Sequence, residues 1–237
     1  MKVRYLIKFS KEGNIKFISH LDLQRTLQRN FKRSGLKVEY SKGFNPHIIM
    51  SMAQPLAVGM YSRGEYLDVS FIEETDEEEI INKLNETSPS GIKYFKAVKL
   101  REASKSKQFK SMAAVAAAEY VIKIKYDDIS NLDCEIKKMF SKDTLKTMKK
   151  TKKTCKEVDI KPMIKSFNYS IEKPYIVIRT LINCGSVSNL SAELLASFIK
   201  ENTTSVRENS FVDIERQETY GEYNGGLVPL YKYAENF

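Results

Sequence analysis

The alternation at the head of the chain restricts its fold more than any other feature. Val3, Tyr5, Ile7 and Phe9 are apolar while Arg4 and Lys8 are cationic, so an extended backbone there turns one face to a core and the other away from it. The pattern returns midway: Tyr120, Ile122, Ile124 and Tyr126 share a face, and Lys123 and Lys125 lie on the other. Each of these half-buried strands is followed by an amphipathic helical stretch, which points to an α+β chain in two parts.

The first part is the more explicit. After the turn at 11–14, Ser19 stands three residues before Asp22, an acidic variant of the capping box. Leu23, Leu27 and Phe31 recur every four residues as a buried helical stripe, and Gly35 follows as a C′ residue. Extended segments at 38–41 and 48–53, a strand at 66–71, a helix at 77–85 and a strand at 92–100 complete the order β-α-β-β-α-β, the split βαβ motif. The acidic run from Glu73 to Glu79 opens the second helix, where carboxylates suit the positive end of its dipole.

The same order is expected again: a strand at 120–126, a helix at 131–140, strands at 158–160 and 175–182, a helix at 191–201 and a last strand at 211–216. This predicts tandem ferredoxin-like (βαββαβ) domains with antiparallel sheets. Residues 1–102 form the N-terminal domain, 103–118 a linker, and 119–237 the C-terminal domain with a Lys-rich loop and an aromatic tail.

With 237 residues and a net charge of +9, the chain is suited to an anionic partner, and RNA is the expected one. Two features localise that charge. Arg25, Arg29, Lys32 and Arg33 fall on one side of the first helix, where they can follow successive phosphates. Between 137 and 165, eleven lysines face three acidic residues; Lys146, Lys149, Lys150, Lys152, Lys153 and Lys156 make this a loop or loose hairpin able to act as an electrostatic arm.

Both histidines lie between Phe17 and Gly59. His20, Asp22 and His47 are the candidates for acid–base chemistry on a phosphate-linked substrate, although Asp22 also serves as a helix cap. His20, Phe44, Asn45 and His47 are candidates for substrate or partner contact. The turn Gly43-Phe44-Asn45-Pro46-His47 has a structural account as well, with Phe44 plugging a core. No metal is expected, because short ligand spacings are missing, and Cys134, Cys155 and Cys184 stand too far apart for a thiolate cluster. No Walker loop, dinucleotide fingerprint or Gly-x-Ser-x-Gly is present. The charged, alternating N-terminus reads as a strand and not a signal peptide, and no apolar run suits a membrane span, so a cytoplasmic location is expected.

The stretches FISHLDLQRTLQRNFKRSGL, YSKGFNPH, PLAVGMYSRGEYLD, AAAEY and VDIKP together resemble the uncharacterised radical-SAM-associated (radical SAM-linked) proteins, encoded beside or fused to cobalamin-binding radical SAM proteins. Ser19, His20, Asp22, Arg25, Gly43, Phe44, Asn45, Pro46, Pro55, Gly59, Glu65 and Asp68 occupy motif positions in that resemblance; Ile48 stands where proline is frequent. The resemblance implies an accessory module. An iron–sulfur cluster, SAM and cobalamin would belong to the radical SAM partner, and none would be bound by this chain. The expected function is RNA binding in tRNA or rRNA modification or ribosome-related RNA metabolism. A metal-independent RNA-cleaving or RNA-modifying enzyme using His20, and a protein–protein adaptor, stand as alternatives.

Overall fold

The computed structural model describes residues 2–101, 108–150 and 155–237, with Lys150 described by its backbone alone. In chain order the elements are β1 (Val3–Lys11), α1 (His20–Arg33), β2 (Met50–Met52), β3 (Tyr61–Phe71), α2 (Glu77–Glu86), β4 (Tyr94–Leu100), α3 (Ser111–Ala114), β5 (Val115–Lys125), α4 (Leu132–Phe140), β6 (Lys146–Lys150), β7 (Cys155–Asp159), β8 (Ile164–Glu172), β9 (Tyr175–Asn183), α5 (Ala192–Glu201), β10 (Asp213–Tyr223), β11 (Gly226–Pro229) and α6 (Leu230–Asn236). The chain is α+β. It divides into one unit of residues 1–116 with 216–237 and another of 117–215.

In the first unit β1 runs antiparallel to both β3 and β4, and β2 pairs with the far half of β3. The register sets Val3 opposite Phe71, Tyr5 opposite Val69 and Ile7 opposite Leu67, so the alternation in the sequence becomes one apolar surface. Leu23, Leu27 and Phe31 of α1 and Ile80 and Leu84 of α2 pack on it. Burial of such side chains contributes about 1.5 to 3 kcal/mol each.

Local signals fix where α1 begins and ends. Ser19 caps it, its Oγ accepting from Asp22 N at 3.2 Å, and Gly35 turns the chain away with φ 71°. Asn30, fully buried among the stripe, donates to Leu84 O at 3.1 Å and Thr87 Oγ1 at 2.9 Å, tying α1 to the end of α2. Gly64 is required by a close approach: a Cβ there would lie 2.5 Å from Glu218 Cα on β10.

Residues 216–237 differ from the sequence reading, which gave them to the C-terminal domain as the end of its last strand and an aromatic tail. They continue β10, form β11 antiparallel to it and end in α6 against β4 and β1. The reason is aromatic packing that no local signal encodes. Phe109 meets Tyr233 at 6.0 Å and Phe237 at 5.5 Å between ring centroids.

In the second unit β9 lies between β5 and β8, antiparallel to both. β8 was not anticipated, although Phe167, Tyr169 and Ile171 alternate along it; Phe167 stacks on Phe140 of α4 at 3.9 Å. The Lys-rich run is a hairpin, β6 and β7 making a two-stranded sheet of their own. Among the described residues no helix is long and apolar enough to cross a membrane, and Cys134, Cys155 and Cys184 form no disulfide.

Candidate functional site

The strand alternation that builds the first unit breaks down where β1 ends. Lys11, only 1% exposed, donates its Nζ to Lys16 O at 2.9 Å and Ile18 O at 3.5 Å. Burial lowers its ammonium pKa from the ordinary value, and the nearby Glu65 carboxylate opposes that shift. Glu65 in turn accepts from Arg216 Nη1 at 2.9 Å, and the same guanidinium donates to Gln54 O at 2.9 Å and Pro55 O at 3.4 Å. Two buried cations and one buried carboxylate therefore hold the backbones of two loops, 16–19 and 54–59. Gly59 N donates to Lys16 O at 2.8 Å and joins the loops directly.

The frame presents a surface of mixed character. Phe17, Leu21 and Val58 are 62%, 61% and 56% exposed, two on the loops that buried charges have fixed and Leu21 on the first turn of α1. His20 opens α1 beside them, with its Nδ1 buried and without a hydrogen-bond partner among the described residues. The Asp22 carboxylate is occupied by the Ser19 cap and by Arg25. It accepts from Ser19 Oγ at 2.7 Å and from Arg25 Nη1 at 3.1 Å, and the Ser19 bond, followed by that of Arg25, holds its carboxyl below the usual range.

His47 belongs to another place. Its Nδ1 lies 2.9 Å from Ser41 Oγ, and its backbone N donates to the same oxygen at 3.1 Å. The segment around it bonds to the far end of β3, Glu39 N donating to Ser70 O and Ser70 N to Ile49 O. His20 follows the loop at Lys11, which is registered with Ser62. Eight strand residues separate Ser62 from Ser70, roughly 26 Å at about 3.3 Å each, so the two histidines do not meet on one small ligand. Among the described residues no three His, Cys, Asp or Glu side chains gather to hold a metal. Phe44 is fully exposed beside exposed Asn45, which excludes the expectation that it plugs a core.

The cationic features remain on the surface. Arg25, Arg29, Lys32 and Arg33 are all exposed on α1. Arg25 pairs with Asp22 and Arg33 Nη2 donates to Thr87 O at 3.1 Å, whereas Arg29 and Lys32 have no ion pair among the described residues. On the hairpin Lys149 is registered opposite Lys156; its Nζ turns to Asn189 O at 2.9 Å, and Lys146 pairs with Glu157 at 3.2 Å. Lys156 is exposed. Lys152 and Lys153 lie outside the described residues, as does the Lys150 side chain.

A family model described as an uncharacterized protein conserved in bacteria, DUF2344, matches residues 4–192. The chain belongs to this family. In this DUF2344 protein Glu65 falls inside the matched span while its partner Arg216 falls outside it. No curated protein matches the chain. A crystal structure of an unknown protein from Galdieria sulphuraria is similar over 91% of this chain and 98% of that one, at 10% identity and a TM-score of 0.27, a likeness too distant to carry an argument.

Lys11 and Arg216 are the site residues that the sequence reading missed. Lys11 was placed in a turn and Arg216 at the end of a strand. The one signal available was Glu65, a carboxylate in a strand otherwise rich in apolar residues, which requires a buried partner. Asp68, another motif position, is a tie of the same kind. It accepts from Ser111 N at 3.1 Å and Ser111 Oγ at 2.5 Å, and burial pushes its carboxyl up.

Proposed function

We propose that this chain is an accessory RNA-binding module that works with a cobalamin-binding radical SAM protein, in tRNA or rRNA modification or in ribosome-related RNA metabolism. The observation that carries the RNA part is the outer side of α1. There Arg25, Arg29, Lys32 and Arg33 are exposed, and Arg29 and Lys32 have no protein carboxylate paired to them among the described residues. Positions 25, 29 and 32 rise about 6 and about 4.5 Å along the axis, which lets neighbouring phosphates take one cation each. Lys156 and the other hairpin lysines add to the attraction without reading sequence. The radical SAM part rests on the motif resemblance alone; in this reading the cluster, SAM and cobalamin are the partner's.

The test is a salt titration of binding to bulk cellular tRNA. Log affinity falls linearly with log salt for the wild type, Arg29→Ala flattens the slope by about one, and the Arg25→Glu/Arg29→Glu/Lys32→Glu variant loses binding while keeping its melting temperature. Equal slopes and affinities for all three proteins overturn the proposal.

His20 favours a second reading, an RNA-cleaving or RNA-modifying enzyme, because its Nδ1 is buried and unpartnered. That reading requires RNA turnover by the purified protein which His20→Ala abolishes while binding persists. The exposed Phe17, Leu21 and Val58 favour a third, an adaptor for the radical SAM enzyme. For this, nuclease-resistant co-purification with that enzyme, lost in Phe17→Asp/Leu21→Asp, is the expected result.

A further inference from the structure

The hairpin of the second unit has an edge that no strand covers among the described residues. β6 pairs with β7 alone, and the two make a sheet of their own. Ile160 N donates to Leu145 O at 2.9 Å, which makes these two a hydrogen-bonded pair. With Lys146 opposite Asp159, Thr147 opposite Val158 and Met148 opposite Glu157, the next bonded pair is Thr147 with Val158. Lys146 and Met148 therefore turn their N–H and C=O away from β7. Both residues are exposed, and those backbone groups have no partner among the described residues.

Across from this edge stands α5. A cavity of about 750 Å³ lies between them, walled on one side by residues 146–149 and on the other by Glu193, Ser197 and Glu201, which recur every four residues along one side of the helix. Lys149 Nζ donates to Asn189 O at 2.9 Å and so ties the end of β6 to the segment that leads into α5. Thr147, 8% exposed, also lines the cavity, and its hydroxyl has no partner among the described residues. Unpaired strand backbone next to a side-chain cavity is the arrangement that receives an extended segment: main-chain bonds supply affinity, and the cavity selects alternate side chains.

We infer that the outer edge of β6 takes an extended basic peptide as an added strand, with one apolar side chain against Met148 and Leu194 and a lysine or arginine reaching Glu193 or Glu201. Charge decides the class of occupant. Lys146 is paired with Glu157 at 3.2 Å and Lys149 is turned onto a carbonyl, whereas Glu193 and Glu201 have no cation among the described residues. Uncompensated carboxylates on the helix wall repel a nucleic acid and favour a cation. A second copy of β6 fits less well, because it would set lysine against lysine along the new ladder.

Isotopically labelled protein is titrated with a short peptide of alternating Lys and Val, and separately with its Glu/Val counterpart. At saturation with the Lys/Val peptide, hydrogen exchange at the Lys146 and Met148 amides slows about tenfold or more, while the Thr147 amide, already bonded to β7, changes far less. The Glu/Val peptide leaves all three unchanged. Met148→Pro removes one outward N–H without touching the β7 ladder; it keeps the melting temperature and loses the peptide, whereas Met148→Leu retains it. Glu193→Lys/Glu201→Lys weakens binding by about tenfold, and Arg25→Glu/Arg29→Glu/Lys32→Glu binds the peptide as the wild type does. Unaltered exchange at Lys146 and Met148, equal response to both peptides, or undiminished binding by Met148→Pro or Glu193→Lys/Glu201→Lys overturns the inference. So does displacement of the peptide by RNA, or protection of the same amides by self-association of the protein alone.

Discussion

Arg216 Nη1 donates to Glu65 Oε1 across 2.9 Å, with side chains 3% and 2% exposed and 151 positions between them in the chain. The pair holds the loop that carries Val58, since Arg216 also donates to Gln54 O and Pro55 O, and Gly59 N joins that loop to Lys16 O beside Phe17. Removing one member of a buried pair leaves an uncompensated charge. Arg216→Met is therefore expected to cost about 3 to 5 kcal/mol in urea unfolding, and the double variant Glu65→Leu/Arg216→Met less than the sum of its single changes. Strictly additive costs would show that the two side chains are not coupled.

Lys11 gives the first unit a dependence on alkaline pH. Its folded pKa lies below the ordinary 10.5 because burial penalises the ammonium. Below that folded value both states are protonated and the penalty is complete. Between it and 10.5 the unfolded chain keeps a proton that the folded chain has given up, so Lys11's contribution to stability improves as pH rises. The stability of the wild type minus that of Lys11→Met should increase from about pH 7 to about pH 10. The buried tyrosines oppose this trend, but they are common to both proteins and cancel. A flat difference in denaturant unfolding across that range would refute the assignment.

Ser19 links helix formation to the state of Asp22. Its Oγ accepts from Asp22 N and donates to Asp22 Oδ2, so Ser19→Ala should cost about 1 kcal/mol as a lost cap. It should also let the Asp22 pKa rise toward the usual carboxylate range, because that hydrogen bond is the largest cause of its lowering. Carboxyl titration by nuclear magnetic resonance reads the second effect, and an unmoved Asp22 would assign the shift to Arg25 instead.

Much of the first unit was legible because its signals are local. The 3–9 alternation, the Leu23-Leu27-Phe31 stripe, the Ser19 cap and the Gly35 stop each act within a few residues, and β1 and α1 follow them closely. The same holds for α2 and for α5, whose Ser191 cap accepts from Leu194 N. β8 was missed because the strand signal in 164–172 is diluted by Lys165, Ser166 and Asn168.

The candidate site was legible only in part. The sequence marked His20, Asp22 and Arg25 by composition and motif, and the structure keeps them on the first turns of α1. It separates His47 from them, because a strand's length intervenes and residue number says nothing of that distance.

The sequence by itself determined the α+β class, the positions and caps of the principal helices, and the cationic side of α1, since these depend on periodicity and on contacts between near neighbours. Tertiary structure decided the rest. It placed Arg216 against Glu65, packed α6 on β4, and moved His47 to the far end of β3. Each of these depends on which distant segments share a buried volume, and that is set by packing and by the need to pair buried charge.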